Sequence, residues 1–146
     1  MNTEIISSTM KTINKIAPDF KATEFACNCG CGEQRMSVWF IKRLQAARTI
    51  AGIPFVILSG ARCPDHNEDV GGTDQSAHVP NFMPDERGHG VDIQYENARE
   101  AFIIVTALLK AGFTRVGFND GGIHVDDAEQ FEFKDKDVLW GYYNDE

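Results

Sequence analysis

The chain has 146 residues, of which 42% are hydrophobic and 25% charged, and its net charge is −8. That is the composition of one soluble globular domain, long enough to bury a core without disulfides or a structural metal. The acidic balance argues against a protein that tracks nucleic-acid phosphates, and no apolar run approaches the roughly 20 residues of a membrane helix.

In chain order, residues 1–19 form an N-terminal arm, and residues 20–146 carry the main domain. Met1 to Ile16 has weak periodicity and reads as a loosely packed arm or a short helix. It contains Lys11 and Lys15 but no apolar core and no small-residue cleavage site, so it does not read as a signal peptide. The expectation is a protein made and folded in the cytoplasm, with its four cysteines reduced unless they bind metal. Phe20 to Cys27 reads as an extended lead into Cys27-Asn28-Cys29-Gly30-Cys31-Gly32. A helix follows, with Val38, Ile41, Leu44 and Ala47 on one face, Phe40 and Ile50 widening the stripe, Ser37 as N-cap and Gly52 as C-cap.

Pro54 to Ser59 is a short β-branched run that predicts a buried strand. Ala61 to Arg87 has no sustained period and is punctuated by Pro64, Gly71, Gly72, Pro80 and Pro84. Such a long irregular stretch inside a domain is usually functional or disordered. Val91 to Gln94 predicts a strand, and Asn97 to Glu100 reads as a capping box opening a helix that runs through Leu109 and stops at Gly112. Val116-Gly117-Phe118 and Ile123-His124-Val125-Asp126 then predict a hairpin around residues 119–122. Helices and strands mix without βαβ alternation. The expected class is α+β, a small antiparallel sheet with flanking helices. The acidic run from Asp126 to Glu146 reads as a solvated surface.

Catalytic zinc sites use about three nitrogen, oxygen or sulfur ligands and leave one position for water. Composition alone does not choose among four histidines and many acids. The ordered set Ser59-Gly60-Ala61-Arg62-Cys63-Pro64, His66-Asn67, Gly71-Gly72, Ser76-Ala77-His78, Gly88-His89-Gly90-Val91-Asp92 and Ile123-His124-Val125-Asp126 does. It resembles the zinc D-Ala-D-Ala carboxypeptidases and L-alanyl-D-glutamate endopeptidases of bacteria and phages, which share a fold with the hedgehog signalling domain. The likeness runs from about Phe20 to Trp140. It implies one catalytic Zn2+ held by His78, Asp92 and His124. The family pattern has two residues between the first histidine and the glycine, whereas here Val79 to Arg87 intervene; looped out, this insertion leaves both anchors in place. His89 lies nearer Asp92, but His78 keeps the Ser-x-His context and is preferred. Gly90 replaces the usual alanine, and His66 reads as a brace in a turn.

The implied reaction is attack of a metal-activated water on a peptide carbonyl, with a carboxylate taking the proton. The family's acid three places before the last histidine is Gly121 here, so the base falls to Asp120 or Asp126. Residues two apart on a strand share a face, which puts Asp126 beside His124 and ahead of Asp120. By resemblance Arg62 faces the substrate as a carbonyl or carboxylate binder, Ser76 bonds substrate backbone, and Trp140 with Tyr142 closes the groove. Each also has a plainer reading, as a salt bridge, a loop tie and core packing.

Cys27, Cys29, Cys31 and Cys63 have no role in the resemblance, and their Cys-x-Cys-x-Cys spacing is off the usual structural-zinc pattern. A second metal site built from these four is the off-pattern alternative, and a reduced glycine-rich knuckle is the default reading. The implied substrate is the peptidoglycan stem peptide, reached after release from the cell or delivery by a virion, and the protein is expected to be a monomer with no nucleic-acid or membrane partner. A metal-bearing, non-catalytic binding module and a virion or assembly component are the alternatives.

Overall fold

The computed structural model of the chain describes residues 3–119, 122–131, 135 and 137–141. Among these residues five strands, β1 (Ile57–Ser59), β2 (Gly90–Gln94), β3 (Arg115–Asn119), β4 (Gly122–Asp126) and β5 (Val138–Trp140), form one sheet in the order β1-β2-β4-β3-β5. Four pairs hold it together, of which three are antiparallel and β3–β5 is parallel. The sheet is therefore mixed, where the sequence predicts an antiparallel one. The chain leaves β4 and returns through a short 3-10 turn (Ala128–Phe131) before laying β5 beside β3. Nothing in the local pattern of Val138 to Trp140 specifies that direction.

Period-two alternation divides the sheet into two faces. Val91 and Ile93 of β2, Val116 of β3, and Ile123 and Val125 of β4 are fully buried in the core. Their neighbours Asp92, Gly117, His124 and Asp126 project from the opposite face. The core face is covered by α2 (Val38–Ala51) and α4 (Ala98–Lys110), which supply Phe40, Ile41, Leu44, Ile104 and Leu108. Each such side chain contributes about 1.5–3 kcal/mol by leaving water. The caps are those read from the sequence: Phe40 N–H donates to Ser37 Oγ (3.2 Å), Glu100 N–H donates to Asn97 Oδ1 (2.9 Å), and Gly52 takes the left-handed φ of 69°. Ile50 is 48% exposed and lies off the buried face, although Ala51 beside it still packs against the core.

Two regions are more ordered than their sequence suggests. The N-terminal segment is α1 (Thr3–Ile16), and Ile13 and Ala17 belong to the main core. The expected extended segment after Phe20 is instead a 3-10 turn (Ala22–Phe25) burying Phe25. Within the irregular stretch, Pro64–Asp69 forms a short helix, α3, which contains His66. The insertion Val79 to Arg87 loops out. It makes one 3-10 turn at Pro80–Phe82 and buries Met83 against Ala77 and Ala128. Its two ends are pinned together where His89 N–H donates to Ala77 O at 2.8 Å. Among the described residues, no helix is long and apolar enough to cross a membrane.

Candidate metal centre

The sheet register builds the site. Asp92 on β2 and His124 on β4 are direct cross-strand partners, and Gly117 faces His124 from β3. The loop before the insertion brings His78 over this pair. Three ligand atoms converge: His78 Nε2 to His124 Nδ1 is 3.3 Å, His78 Nε2 to Asp92 Oδ1 is 3.3 Å, and His124 Nδ1 to Asp92 Oδ1 is 3.1 Å. A tetrahedral ion with bonds of about 2.0–2.1 Å has ligand–ligand edges of roughly 3.3 Å. Two imidazoles and a carboxylate at that spacing fit zinc in both chemistry and size.

The far nitrogen of each imidazole is also anchored, which fixes ring orientation and tautomer. His78 Nδ1 lies 2.7 Å from Gly60 O, and His124 Nε2 lies 2.6 Å from Asp126 Oδ2. Asp126 is itself held on its other oxygen by Arg115 Nε (2.7 Å) and the Ala128 N–H (3.0 Å). It is 1% exposed. It therefore shares the His124 face, as expected, but sits behind the ring, on the edge turned away from Asp92 and His78. Asp120 and Gly121 lie outside the described residues, as does Tyr142.

Asp92 has four polar partners. Besides the two imidazoles, Arg62 Nη2 reaches Oδ2 at 3.0 Å and Asn119 Nδ2 reaches Oδ1 at 3.1 Å. Arg62 engages all three of its nitrogens, with Nε on Ser59 Oγ (3.0 Å) and Nη1 on Asn67 Oδ1 (3.1 Å). The salt-bridge reading of Arg62 is thus realised within the site. Ser76 is buried, and its Oγ accepts from the His78 N–H at 3.3 Å, tying down the loop that carries the first histidine. Trp140 stands with its ring centroid 5.5 Å from that of His124 and with the Arg115 guanidinium 5.2 Å over its face. Gly117 makes room for it: a Cβ there would lie 2.1 Å from the indole.

His89 does not join this group. Its Nδ1 is 2.7 Å from Asp127 Oδ1 and its Nε2 is 2.7 Å from Asp85 Oδ2, so both nitrogens are taken by carboxylates outside the triad. Asp126 and Asp127 are both buried, so the acidic C-terminal run begins as internal structure rather than as a solvated surface.

The electrostatics follow from these contacts. Burial disfavours the charge on Asp92, but hydrogen bonds from His124 and His78 outweigh it and hold the carboxyl well below its usual range. Burial likewise opposes a charged His124, yet its bonds to Asp126 and Asp92 push the pKa up to about 9. Asp126, also opposed by burial, is lowered to about 2 by His124, Arg115 and the Ala128 N–H. Burial lowers His78, and the attraction of Asp92 only partly offsets this. The metal-free site thus favours a charged His124 and a neutral His78 whose N–H stays on Nδ1, against Gly60 O.

Asn119, Arg115 and Ser59 were given no role in the site from the sequence, although Ser59 opens the ordered motif. Arg115 had a legible signal, since a hairpin turning at 119–122 sets it opposite Asp126, as the register confirms. Comparison with curated proteins finds no match. The family model described as Peptidase M15 matches residues 18–126, which takes in His78, Asp92, His124 and Asp126 but not Trp140. With most of its length matched and the family's His-Asp-His ligands brought together by the fold, the chain belongs to the peptidase M15 family.

Proposed function

We propose that the protein is a zinc-dependent peptidase that hydrolyses peptide bonds in peptidoglycan stem peptides. The observation that carries this reading is the triangle of His78 Nε2, Asp92 Oδ1 and His124 Nδ1, with edges of 3.1–3.3 Å, in a chain of a peptidase family. Zinc bound there supplies the Lewis acidity that activates water and polarises a carbonyl.

The chain's own residues divide the remaining work. Gly60 O and Asp126 hold the two imidazoles so that their inner nitrogens face Asp92. Arg62 and Asn119 steady the Asp92 carboxylate. Proton transfer from water to the leaving amine needs an acid with a free oxygen within reach of the reacting atoms. Asp126 has one oxygen on Arg115 and Ala128 and the other on His124, so it is assigned to positioning. The base then falls to Asp120, which follows Asn119 in the chain. Arg62 keeps N–H groups beyond those bound to Ser59, Asn67 and Asp92 for a substrate oxygen, and the Trp140 indole beside His124 offers an apolar wall. Ser76 acts on substrate only through the loop it ties. The protein works as a monomer on cell wall that it meets after release from the cell or on delivery by a virion.

The test is incubation of the zinc-loaded chain with purified peptidoglycan from several wall types, measuring released amine and D-alanine. Cleavage that disappears in Asp120→Asn with zinc content unchanged is the expected result. A zinc-loaded protein that releases neither product from any wall overturns the peptidase reading and leaves a metal-bearing binding module.

A further inference from the structure

Cys27, Cys29, Cys31 and Cys63 have no part in the reaction above, and their spacing alone does not suggest a site. The fold nevertheless collects them. Cys27 Sγ lies 3.4 Å from Cys29 Sγ and 3.9 Å from Cys63 Sγ, and Cys29 to Cys63 is 3.7 Å. The four sulfurs lie within 4.8 Å of one another, and none is bonded to another as a disulfide. A tetrahedral ion with zinc–sulfur bonds of about 2.3 Å has sulfur–sulfur edges of roughly 3.8 Å. The three measured edges scatter closely around that value.

The backbone explains how so short a run delivers three sulfurs to one place. Gly30 and Gly32 alternate with the cysteines and take φ of +83° and +92°, which a residue with a side chain rarely adopts. The Gly30 N–H donates to Cys27 O at 3.1 Å, and the Cys27 N–H donates to Glu33 O at 2.8 Å, closing the knuckle. The fourth sulfur arrives on the segment after β1. That segment is joined to the knuckle by the Ala61 N–H on Phe25 O (2.8 Å) and by Gly60, where a Cβ would come within 2.6 Å of the Phe25 backbone. Backbone N–H groups also point at sulfur: Cys63 N to Cys27 Sγ is 3.5 Å and His66 N to Cys63 Sγ is 3.4 Å. Such donors stabilise thiolate ligands. Four thiolates at this spacing repel one another unless a cation stands between them, and soft sulfur donors in a tetrahedron select zinc.

We infer that Cys27, Cys29, Cys31 and Cys63 bind a second zinc ion as a closed four-sulfur site distinct from the His78–Asp92–His124 centre. With every position filled by protein sulfur, it leaves no place for water and is structural rather than catalytic. Its consequence for the active centre runs through one peptide bond. Cys63 follows Arg62, so clamping Cys63 to the knuckle fixes the segment after β1 from which Arg62 reaches Asp92.

The test reads metal rather than cleavage, so it stands or falls apart from the peptidase reading. Fully reduced protein is loaded with zinc, freed of excess, and its metal measured by mass spectrometry. The expected content is about two ions per wild-type chain and about one in the His78→Ala/His124→Ala variant. Cobalt loaded into that same variant is expected to show the intense near-ultraviolet sulfur-to-cobalt charge-transfer band, which the His-Asp-His centre has no sulfur to produce. The band should vanish in Cys29→Ser/Cys31→Ser. If that variant does not fold, X-ray absorption on the zinc-loaded His78→Ala/His124→Ala chain decides the matter, with a four-sulfur shell at about 2.3 Å expected. The inference is overturned by a reduced wild-type chain that holds one ion, loses it in the histidine variant, and leaves four thiols freely reactive with a disulfide reagent. A disulfide among the four in freshly isolated protein also overturns it.

Discussion

Two histidine–carboxylate clusters flank the start of β2, and they are built from the same kinds of residue. Around Asp92, the inner nitrogens of His78 and His124 converge on one carboxylate oxygen at 3.1–3.3 Å, while their outer nitrogens are anchored elsewhere. Around His89, a single ring stands between two carboxylates, each 2.7 Å from a different nitrogen. Lone pairs that converge can share a cation. N–H groups on opposite edges of one ring donate to two separate carboxylates, and the ring then serves best as a charged brace. Residue type and proximity in sequence do not distinguish the two clusters; the direction of the second nitrogen does.

The comparison breaks most visibly in metal binding. Removing an inner nitrogen in His78→Ala should lower zinc affinity by several orders of magnitude and abolish cleavage, whereas His89→Gln should retain zinc at wild-type stoichiometry. Competition with a chromogenic chelator measures both. Equal loss of zinc in the two variants would mean that the clusters are not distinct. A smaller effect sharpens the role of Asp126. If it orients His124, then Asp126→Asn should weaken zinc binding by about 10- to 100-fold, with cleavage restored as zinc is raised. Unchanged zinc affinity with a collapsed kcat would return Asp126 to the part of general base.

Smaller again is the response of the metal centre to pH. In the metal-free protein His124 holds its proton up to about pH 9, and zinc must displace that proton to use Nδ1. Apparent zinc affinity should therefore rise about tenfold per pH unit from neutrality up to about pH 9 and then level off. Asp126→Asn removes the bond that contributes most to raising this pKa, so its plateau should begin at a lower pH. Calorimetry in buffers of different ionisation enthalpy counts the proton directly, and zinc binding at neutral pH without proton release would contradict the assignment.

How much of this was legible in the sequence depends on whether a residue's role is local. Helix α2, with Ser37 and Gly52 at its ends, and the hairpin of β3 and β4 were readable because caps and alternation are properties of neighbouring residues. His78, Asp92 and His124 were readable through the ordered motif. Asn119 and Ser59 were not, because each acts on a residue that only the sheet register or the path after β1 brings near. The parallel pairing of β5 was hidden for the same reason. The N-terminal segment was undervalued because Ile13 of α1 and Ala17 just after it belong to a core built from residues far along the chain. The cysteines show the limit most clearly: their spacing left a second metal site only as an off-pattern alternative, and a backbone with positive φ at Gly30 and Gly32 brings the sulfurs together.

The least dramatic expectation concerns the brace. Burial opposes a charge on His89, but hydrogen bonds to Asp127 and Asp85 outweigh it and raise its pKa above the usual imidazole value. An unfolded histidine titrates near about 6.5, so below that pH both states carry the proton and the charged bonds contribute in full. As pH rises through the higher folded value, the native state loses the proton and that share of stability with it. His89→Gln should cost about 1–3 kcal/mol in acid and progressively less in alkali, so its urea midpoint should vary less with pH than the wild type's. The measurement belongs in zinc-loaded protein, where a His124 bound through Nδ1 does not take up a second proton. The two arms should differ as well. Asp85 is 40% exposed and Asp127 10%, so solvent screens the first contact more. Asp127→Asn should remove more of the pH dependence than Asp85→Asn, and the reverse order would place the brace on the insertion rather than on the turn after β4.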